Sequence, residues 1–205
     1  MTDTETADEL LEVACAGDQH ALGQLLEVHR ERLLRVIGFR MDRRLRGRID
    51  SADVLQETYL EVTERFAEYA RNRKMPFFLW VRFLAVQKLC ELHRHHLGVQ
   101  ARDVSREVSL NRAPFPEATS SVLAAQLLGK HTTPSQAAVR AEVKRQLEEA
   151  LNCMDEIDRE VLALRHFEQL NNVEAARVLD INESASSSRY LRAIKRLKRV
   201  LDRGE

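Results

Sequence analysis

The sequence is short of what interrupts helices. Seven glycines and four prolines in 205 residues leave too few turn formers for a chain of many short strands. Aromatic residues make up only 5%, so a core has to be built from aliphatic side chains. The three cysteines, Cys15, Cys90 and Cys153, are odd in number and far apart. That spacing argues against a disulfide framework and for buried thiols of a reducing compartment. No apolar run approaches the roughly 18 residues that a membrane helix needs, and Asp3, Glu5, Asp8 and Glu9 put acid where a secretory signal carries base. The expectation is a soluble, cytoplasmic, all-α protein without membrane insertion. The sequence also lacks a Gly-rich phosphate loop, a G-x-S-x-G turn and a persuasive Ser/His/Asp set, so no enzyme activity is expected.

Net charge is absent too, with 32 Lys+Arg against 32 Asp+Glu, but the balance hides segregation. Met1 to His29 holds seven acids and no Lys or Arg, and Arg30 to Arg48 holds eight arginines against Glu31 and Asp42. Asp50 to Ala70 then carries six acids against Arg65, and Arg71 to Arg106 eight cations against Glu91 and Asp103. Solvated helices usually mix their signs, so such blocks point to several charged partner surfaces.

Leu22, Leu25, His29, Leu33, Val36 and Ile37 recur at helical spacing after Asp18, a suitable N-cap. A second helix starts near Asp50-Ser51 with Leu55, Tyr59, Val62, Phe66 and Tyr69 on one face. Asp53, Gln56, Glu57, Glu61, Glu64 and Glu68 make its other face acidic and polar. Arg71-Asn72-Arg73-Lys74-Met75 reads as a loop, and Pro76 suits the first turn of a third helix running through Trp80, Leu84 and Leu92 towards Gly98. Between Gly98 and Ala138 lie three prolines, a Thr/Ser run and one short apolar patch, Val122 to Leu128. Helical spacing resumes at Val139, Val143, Leu147 and Leu151, and again at Ile157, Val161, Leu164 and Phe167. The expected organisation is two small helical domains, 1–97 and 139–205, joined by a long flexible linker over 98–138.

Near the C-terminus, a short helix from Val173 to Leu179, a turn at Asp180-Ile181-Asn182 and a second helix have helix-turn-helix spacing. Ala176 is small where crossing helices approach, and Asn182 can cap the second helix. Tyr190, Ala193, Ile194, Leu197 and Leu201 form its buried stripe, while Ser188, Arg192, Lys195 and Arg199 point the other way. Seven cations from Arg189 to Arg203 face only Asp202 within that span. A recognition helix places its first turn, here Ser187 and Ser188, against base edges, and arginine suits guanine or phosphate. A basic stripe alone would also fit a solvated amphipathic helix; the preceding turn and helix favour duplex DNA. The acids upstream, Glu148, Glu149, Asp155, Glu156, Asp158 and Glu160, are expected to keep the rest of the domain off the phosphates.

"DSADVLQETYLEV" (Asp50 to Val62), followed by "MPFFLWVRFLAVQKLCELHRHH" (Met75 to His96), resembles region 2 of bacterial RNA polymerase sigma factors. "DREVLALRHFEQLNNVEAARVLDINESASSSRYLRAIKRL" resembles their region 4. The order and two-domain size are similar to the extracytoplasmic-function (ECF) group of the sigma-70 family. The resemblance implies a sigma factor that binds core RNA polymerase and directs promoter recognition, local melting and transcription initiation. By its motifs, Asp53, Gln56 and Glu57 would dock on the β′ clamp, and region 4 would sit on the β flap. Arg71, Asn72, Arg73, Lys74, Phe77, Arg82 and Lys88 would hold the opened minus-ten strand. Ser187, Ser188, Arg189, Arg192, Lys195 and Arg196 would read the minus-thirty-five duplex. Trp80 is expected in the core with Leu84, and so is at least one of Phe77 and Phe78.

Two positions depart from the family pattern: Asp180 stands where Gly is frequent, and Ser186 where Val or Ile fills the core. Candidate regulatory partners are an anti-sigma factor and a Ser/Thr kinase acting on "SREVSL" or Thr132-Thr133-Pro134. Cys90, His93, His95 and His96 share a helix, but His95 points away from the first two and no second ligand cluster exists, so neither metal nor cofactor is expected. A stand-alone helix-turn-helix regulator with an N-terminal sensor domain is the alternative. The acidic helix beside a basic, aromatic-bearing loop favours the sigma factor, because a sensor domain needs no single-strand surface.

Overall fold

A computed structural model of the chain describes residues 3–42, 45, 48–97, 120–128 and 137–202. Among them every regular element is a helix. They group into two compact units. The first contains α1 (Asp3–Cys15), α2 (Gln19–Arg40), α3 (Ser51–Asn72) and α4 (Phe77–Leu97). The second contains α5 (Ser120–Leu127), α6 (Ala137–Asn152), α7 (Glu156–Leu162), α8 (Asn172–Leu179) and α9 (Glu183–Leu201).

The helices of the first unit start where side chains can satisfy their open N–H groups. The Asp18 carboxylate accepts from the amides of His20 (2.8 Å) and Ala21 (3.2 Å). Ahead of it Gly17, at φ 105, makes the left-handed turn that separates α1 from α2. Asp50 precedes α3, and its amide donates to Asp53 Oδ2 at 3.1 Å. Leu33, Val36 and Ile37 of α2, Val54 and Val62 of α3, and Val81, Leu84, Val86 and Leu89 of α4 are fully buried. Each such side chain contributes on the order of 1.5–3 kcal/mol. The scarce aromatics cluster at one end of this core: Tyr69 stacks on Trp80 with ring centroids 4.4 Å apart, and Phe77 meets Tyr69 edge-on at 5.7 Å. Trp80 is therefore core, and so are both Phe77 and Phe78. Helix α1 packs on α2 through Ala7 and Ala14, which are buried.

In the second unit α5 packs on α6 and buries Leu123 and Ala124 completely. Residues 120–127, read from sequence as linker, thus group with the C-terminal helices. The stretches 98–119 and 129–136 lie outside the described residues, together with "SREVSL" and the Thr132-Thr133-Pro134 segment. Asp155 caps α7 by accepting from the Ile157 amide at 3.0 Å. The helix then widens into a π turn at Ala163–Phe167, where the Glu168 amide reaches back to the Ala163 carbonyl at 3.1 Å. Asn171 and Glu174 form a reciprocal capping box at the start of α8, with bonds of 2.9 and 2.8 Å. Asp180 ends α8 at φ 54, ψ 45, the left-handed conformation that the family pattern assigns to Gly. Asn182 accepts from the Ala185 amide at 2.7 Å and starts α9.

Helix α9 buries Ala193 and Leu197 against α6, α7 and α8. Ser186 lies on the same stripe and is fully buried, and its Oγ has no hydrogen-bond partner. An orphaned buried hydroxyl costs roughly 1–3 kcal/mol, and alanine is also the better helix former. Ser186→Ala should therefore raise the stability of the second unit by about 1 kcal/mol in thermal or urea unfolding; a lower midpoint would contradict this description of the α9 core.

Candidate polymerase and nucleic-acid interfaces

Three charged surfaces emerge from this packing. The first is on α3. Burial of Val54, Leu55, Thr58, Val62, Phe66 and Tyr69 turns the opposite face to solvent, and Asp53, Gln56 and Glu57 are exposed there. Leu60, 67% exposed, adds an apolar point among these polar groups. Glu61 is pulled to the flank by Arg65 at 2.9 Å and Lys88 at 3.9 Å. Asp53 has a second task, because it also accepts the Asp50 amide. Removing its carboxylate would cost cap energy as well as surface charge.

The second surface is the basic end of α3 and the turn after it; Arg71 and Asn72, read from sequence as loop, are the last residues of the helix. Arg71, Asn72, Arg73 and Lys74 are all exposed. Arg73 takes the left-handed C-cap position at φ 35, ψ 44. Its guanidinium grips Glu12 of α1 with both terminal nitrogens, at 2.5 and 3.1 Å, and this holds the Glu12 carboxyl below its usual range. The Tyr69 hydroxyl donates to the Met75 carbonyl at 3.0 Å and pins the far side of the turn. Of the other residues expected here, Lys88 is half-buried and hydrogen-bonded to Glu91 at 3.1 Å, which pushes its ammonium pKa up. Phe77 and Arg82, at 4% and 2% exposure, face the interior of the unit. Helical spacing puts Phe77 on the same face as Trp80 and Leu84, and that face is the one covered by α3.

The third surface is on α9. Ser188, Arg192, Lys195, Arg196 and Arg199 are exposed and Ser187 is half-buried. Arg192, Lys195, Arg196 and Arg199 form one wall of a groove of about 820 Å³, with Gln146, Glu149, Ala150 and Cys153 of the α6 end opposite. Arg189 is different. Its guanidinium turns away from this surface to Asp158 at 2.7 Å and Asp155 at 3.2 Å. These two acids, expected from sequence to repel phosphate, are instead partners of α9. On the same side Asn172 links α8 to α9 by donating to the Glu183 carbonyl at 2.9 Å.

Among the described residues no three His, Cys, Asp or Glu side chains are placed to hold a metal ion. The cysteines are not the buried set expected from sequence: Cys153 is exposed and Cys15 and Cys90 are half-buried, with burial pushing the Cys90 thiol pKa up. No described helix is long and apolar enough to cross a membrane. Sequence reasoning missed α1 as an element and Glu12 as the partner of Arg73. The spacing of Ala7, Leu10, Leu11 and Ala14 carried a signal for the helix, but nothing local linked two side chains 61 residues apart.

Residues 144–197, which span most of α6 to α9, match the family model for sigma-70, region 4. The chain is 27% identical to the ECF RNA polymerase sigma factor SigD of Mycobacterium tuberculosis over 194 residues, covering 95% of this chain and 83% of that protein. Residues 144–197 thus carry a sigma-70 region 4, and over nearly its whole length the chain is similar to sigma factors of the extracytoplasmic-function group. A second relative is the RNA polymerase sigma factor NccH of Alcaligenes xylosoxydans, 25% identical over 206 residues, with 98% of this chain and 97% of that protein covered. The fold is also similar to that of CnrH, solved in complex with the cytosolic domain of CnrY. That likeness has a TM-score of 0.54 at 21% identity and covers 98% of this chain and 99% of that one. Helix α8 and all but the last residues of α9 thus fall inside the stretch that matches region 4, and this likeness supports a part in transcription initiation.

Two tyrosines report on the packing around the first unit's surfaces. Burial pushes the Tyr59 and Tyr69 phenols up to about 12. A spectrophotometric titration should therefore show two of the three tyrosines ionising well above the usual 10. A raised folded-state pKa means that the stability contributed by the neutral phenols is complete below pH 10 and lost between about 10 and 12. A single transition near pH 10 for all three would contradict their placement.

Proposed function

We propose that the chain is a dissociable polymerase subunit that binds core RNA polymerase and directs it to promoters. What carries the reading is the outward face of α9: Ser188, Arg192, Lys195 and Arg199 share one exposed side of the second helix of a helix-turn-helix. On this reading that face lies in the major groove of the minus-thirty-five duplex, with Ser187 at the helix start and Arg196 on the flank towards the phosphates. The acidic face of α3, through Asp53, Gln56 and Glu57, docks on the basic surface of the β′ clamp, where opposite charge speeds and orients association. Region 4 sits on the β flap.

The basic turn Arg71–Lys74 holds the opened minus-ten strand, and Lys88, further along α4 and beside Glu61, extends that cationic track. Phe77 and Arg82 support that surface from within the fold. Binding energy drives local melting without nucleotide hydrolysis, and the polymerase performs the chemistry. The protein works in the cytoplasm, needs no cofactor, and is held in check by an anti-sigma factor or by phosphorylation of the 98–138 segment.

Co-purification with core polymerase tests this reading, because a sigma factor comes down with the enzyme and a stand-alone regulator does not. Gln56→Ala with Glu57→Ala should weaken that association while leaving the helix content intact, since neither residue caps α3; wild-type affinity in the double variant would remove the clamp assignment. Arg192→Ala should cost roughly 1–3 kcal/mol of promoter binding, measured with the assembled holoenzyme. An unchanged affinity would take Arg192 out of the DNA interface.

A further inference from the structure

Asp158 is the one acid of α7 that the fold takes almost entirely out of water, at 4% exposure. A buried carboxylate is stable only when it is paired and hydrogen-bonded, and both partners here come from α9. Arg189 donates to Oδ1 at 2.7 Å and Arg192 to Oδ2 at 3.2 Å. Asp158 occupies the third position of α7, in the first turn, where the open N–H groups of a helix favour negative charge. Asp155, one turn earlier, shares the Arg189 guanidinium at 3.2 Å. The two arginines differ in what remains outside. The Arg189 side chain is 26% exposed, whereas that of Arg192 is 64% exposed, so only the second presents a guanidinium to a ligand.

We propose that Asp158 is the positioning residue of the recognition helix. It takes Arg189 out of DNA contact and fixes the Arg192 guanidinium at the edge of the DNA-facing surface. The proposal rests on the reading of α9 as the duplex-binding helix and deepens it. One carboxylate uses one arginine as a strut between α7 and α9. The same carboxylate orients the other arginine by a single hydrogen bond, so Arg192 meets the duplex in a preset direction. Preorganisation of this kind improves discrimination between sequences more than it improves overall attraction to phosphate.

The test is promoter-complex formation by the full chain assembled on core polymerase, measured against salt on promoter and scrambled duplexes. Arg192→Gln should make the slope of log K against log salt shallower by about one. Arg189→Gln should leave that slope unchanged. Asp158→Asn should lower the promoter-to-scrambled ratio by about tenfold, the discrimination of one well-placed contact, without making the slope shallower. If either single variant fails to fold by circular dichroism, the double variant Asp158→Asn with Arg189→Gln strands neither charge, and it should show the same loss of ratio with an unchanged slope. A slope reduced by about one in Arg189→Gln, or an undiminished ratio in Asp158→Asn, overturns the proposal while leaving α9 as a DNA-binding helix. Absence of any salt-sensitive promoter complex with the unmodified chain overturns the duplex reading itself, and the proposal with it.

Discussion

Burial of one apolar stripe on a helix forces the opposite stripe into water, and on α3 and α9 that exposed stripe carries charge of largely one sign. On α3 the buried run from Val54 to Tyr69 leaves Asp53, Gln56 and Glu57 outside. On α9 the buried Ala193 and Leu197 leave Arg192, Lys195 and Arg199 outside. Neither surface is an isolated cluster of like charges; each is the unavoidable reverse side of a packed core. Rigid helices therefore hold like charges at fixed spacing, and their mutual repulsion is offset by aliphatic burial on the other side.

Repulsion is managed locally as well. Glu12 sits on Arg73, Glu61 and Glu91 sit beside Lys88, and Asp155 and Asp158 sit on Arg189. In each case a basic residue near a proposed nucleic-acid surface has an acid from the same unit within salt-bridge distance. Exposed pairs of this kind are worth little in stability, and a phosphate can compete for the cation. The buried Asp158 is the exception, because exchanging its partners would strand a charge away from water. On the proposed reading the α9 surface thus contains two arginines tied to Asp158, of which Arg192 still presents its guanidinium, beside the exposed Lys195, Arg196 and Arg199.

Periodicity and cap chemistry made much of the fold legible before any coordinates. Asp18 and Asn182 cap helices as their positions in the sequence imply, Trp80 is core, and of the stripe expected on α9 Ala193 and Leu197 are buried while Tyr190 and Ile194 are half-buried. Asp180 adopts the left-handed turn that its place in the helix-turn-helix requires. Other features were hidden for definite reasons. Helix α5 is short and flanked by proline-rich sequence, so only its docking on α6 gives it a place. Arg82 lies in the stretch of α4 from Phe77 to Val86 that is buried on all sides, and periodicity of apolar residues says nothing about where such a polar residue goes. The pairings of Arg73 with Glu12 and of Arg189 with Asp158 join positions 61 and 31 residues apart, a distance over which residue spacing carries no signal. Ser186 was legible as a departure, but its unpartnered hydroxyl was visible only once α9 was packed.

A division of labour among three helical surfaces is the core of this account: one acidic face for an enzyme, and two basic ones for single-stranded and duplex nucleic acid. Run-off transcription with purified core polymerase and genomic fragments, with and without the chain, tests it most directly. The account predicts discrete transcripts from defined start sites that appear only when the chain is added. Transcripts that are the same in its presence and absence would contradict it.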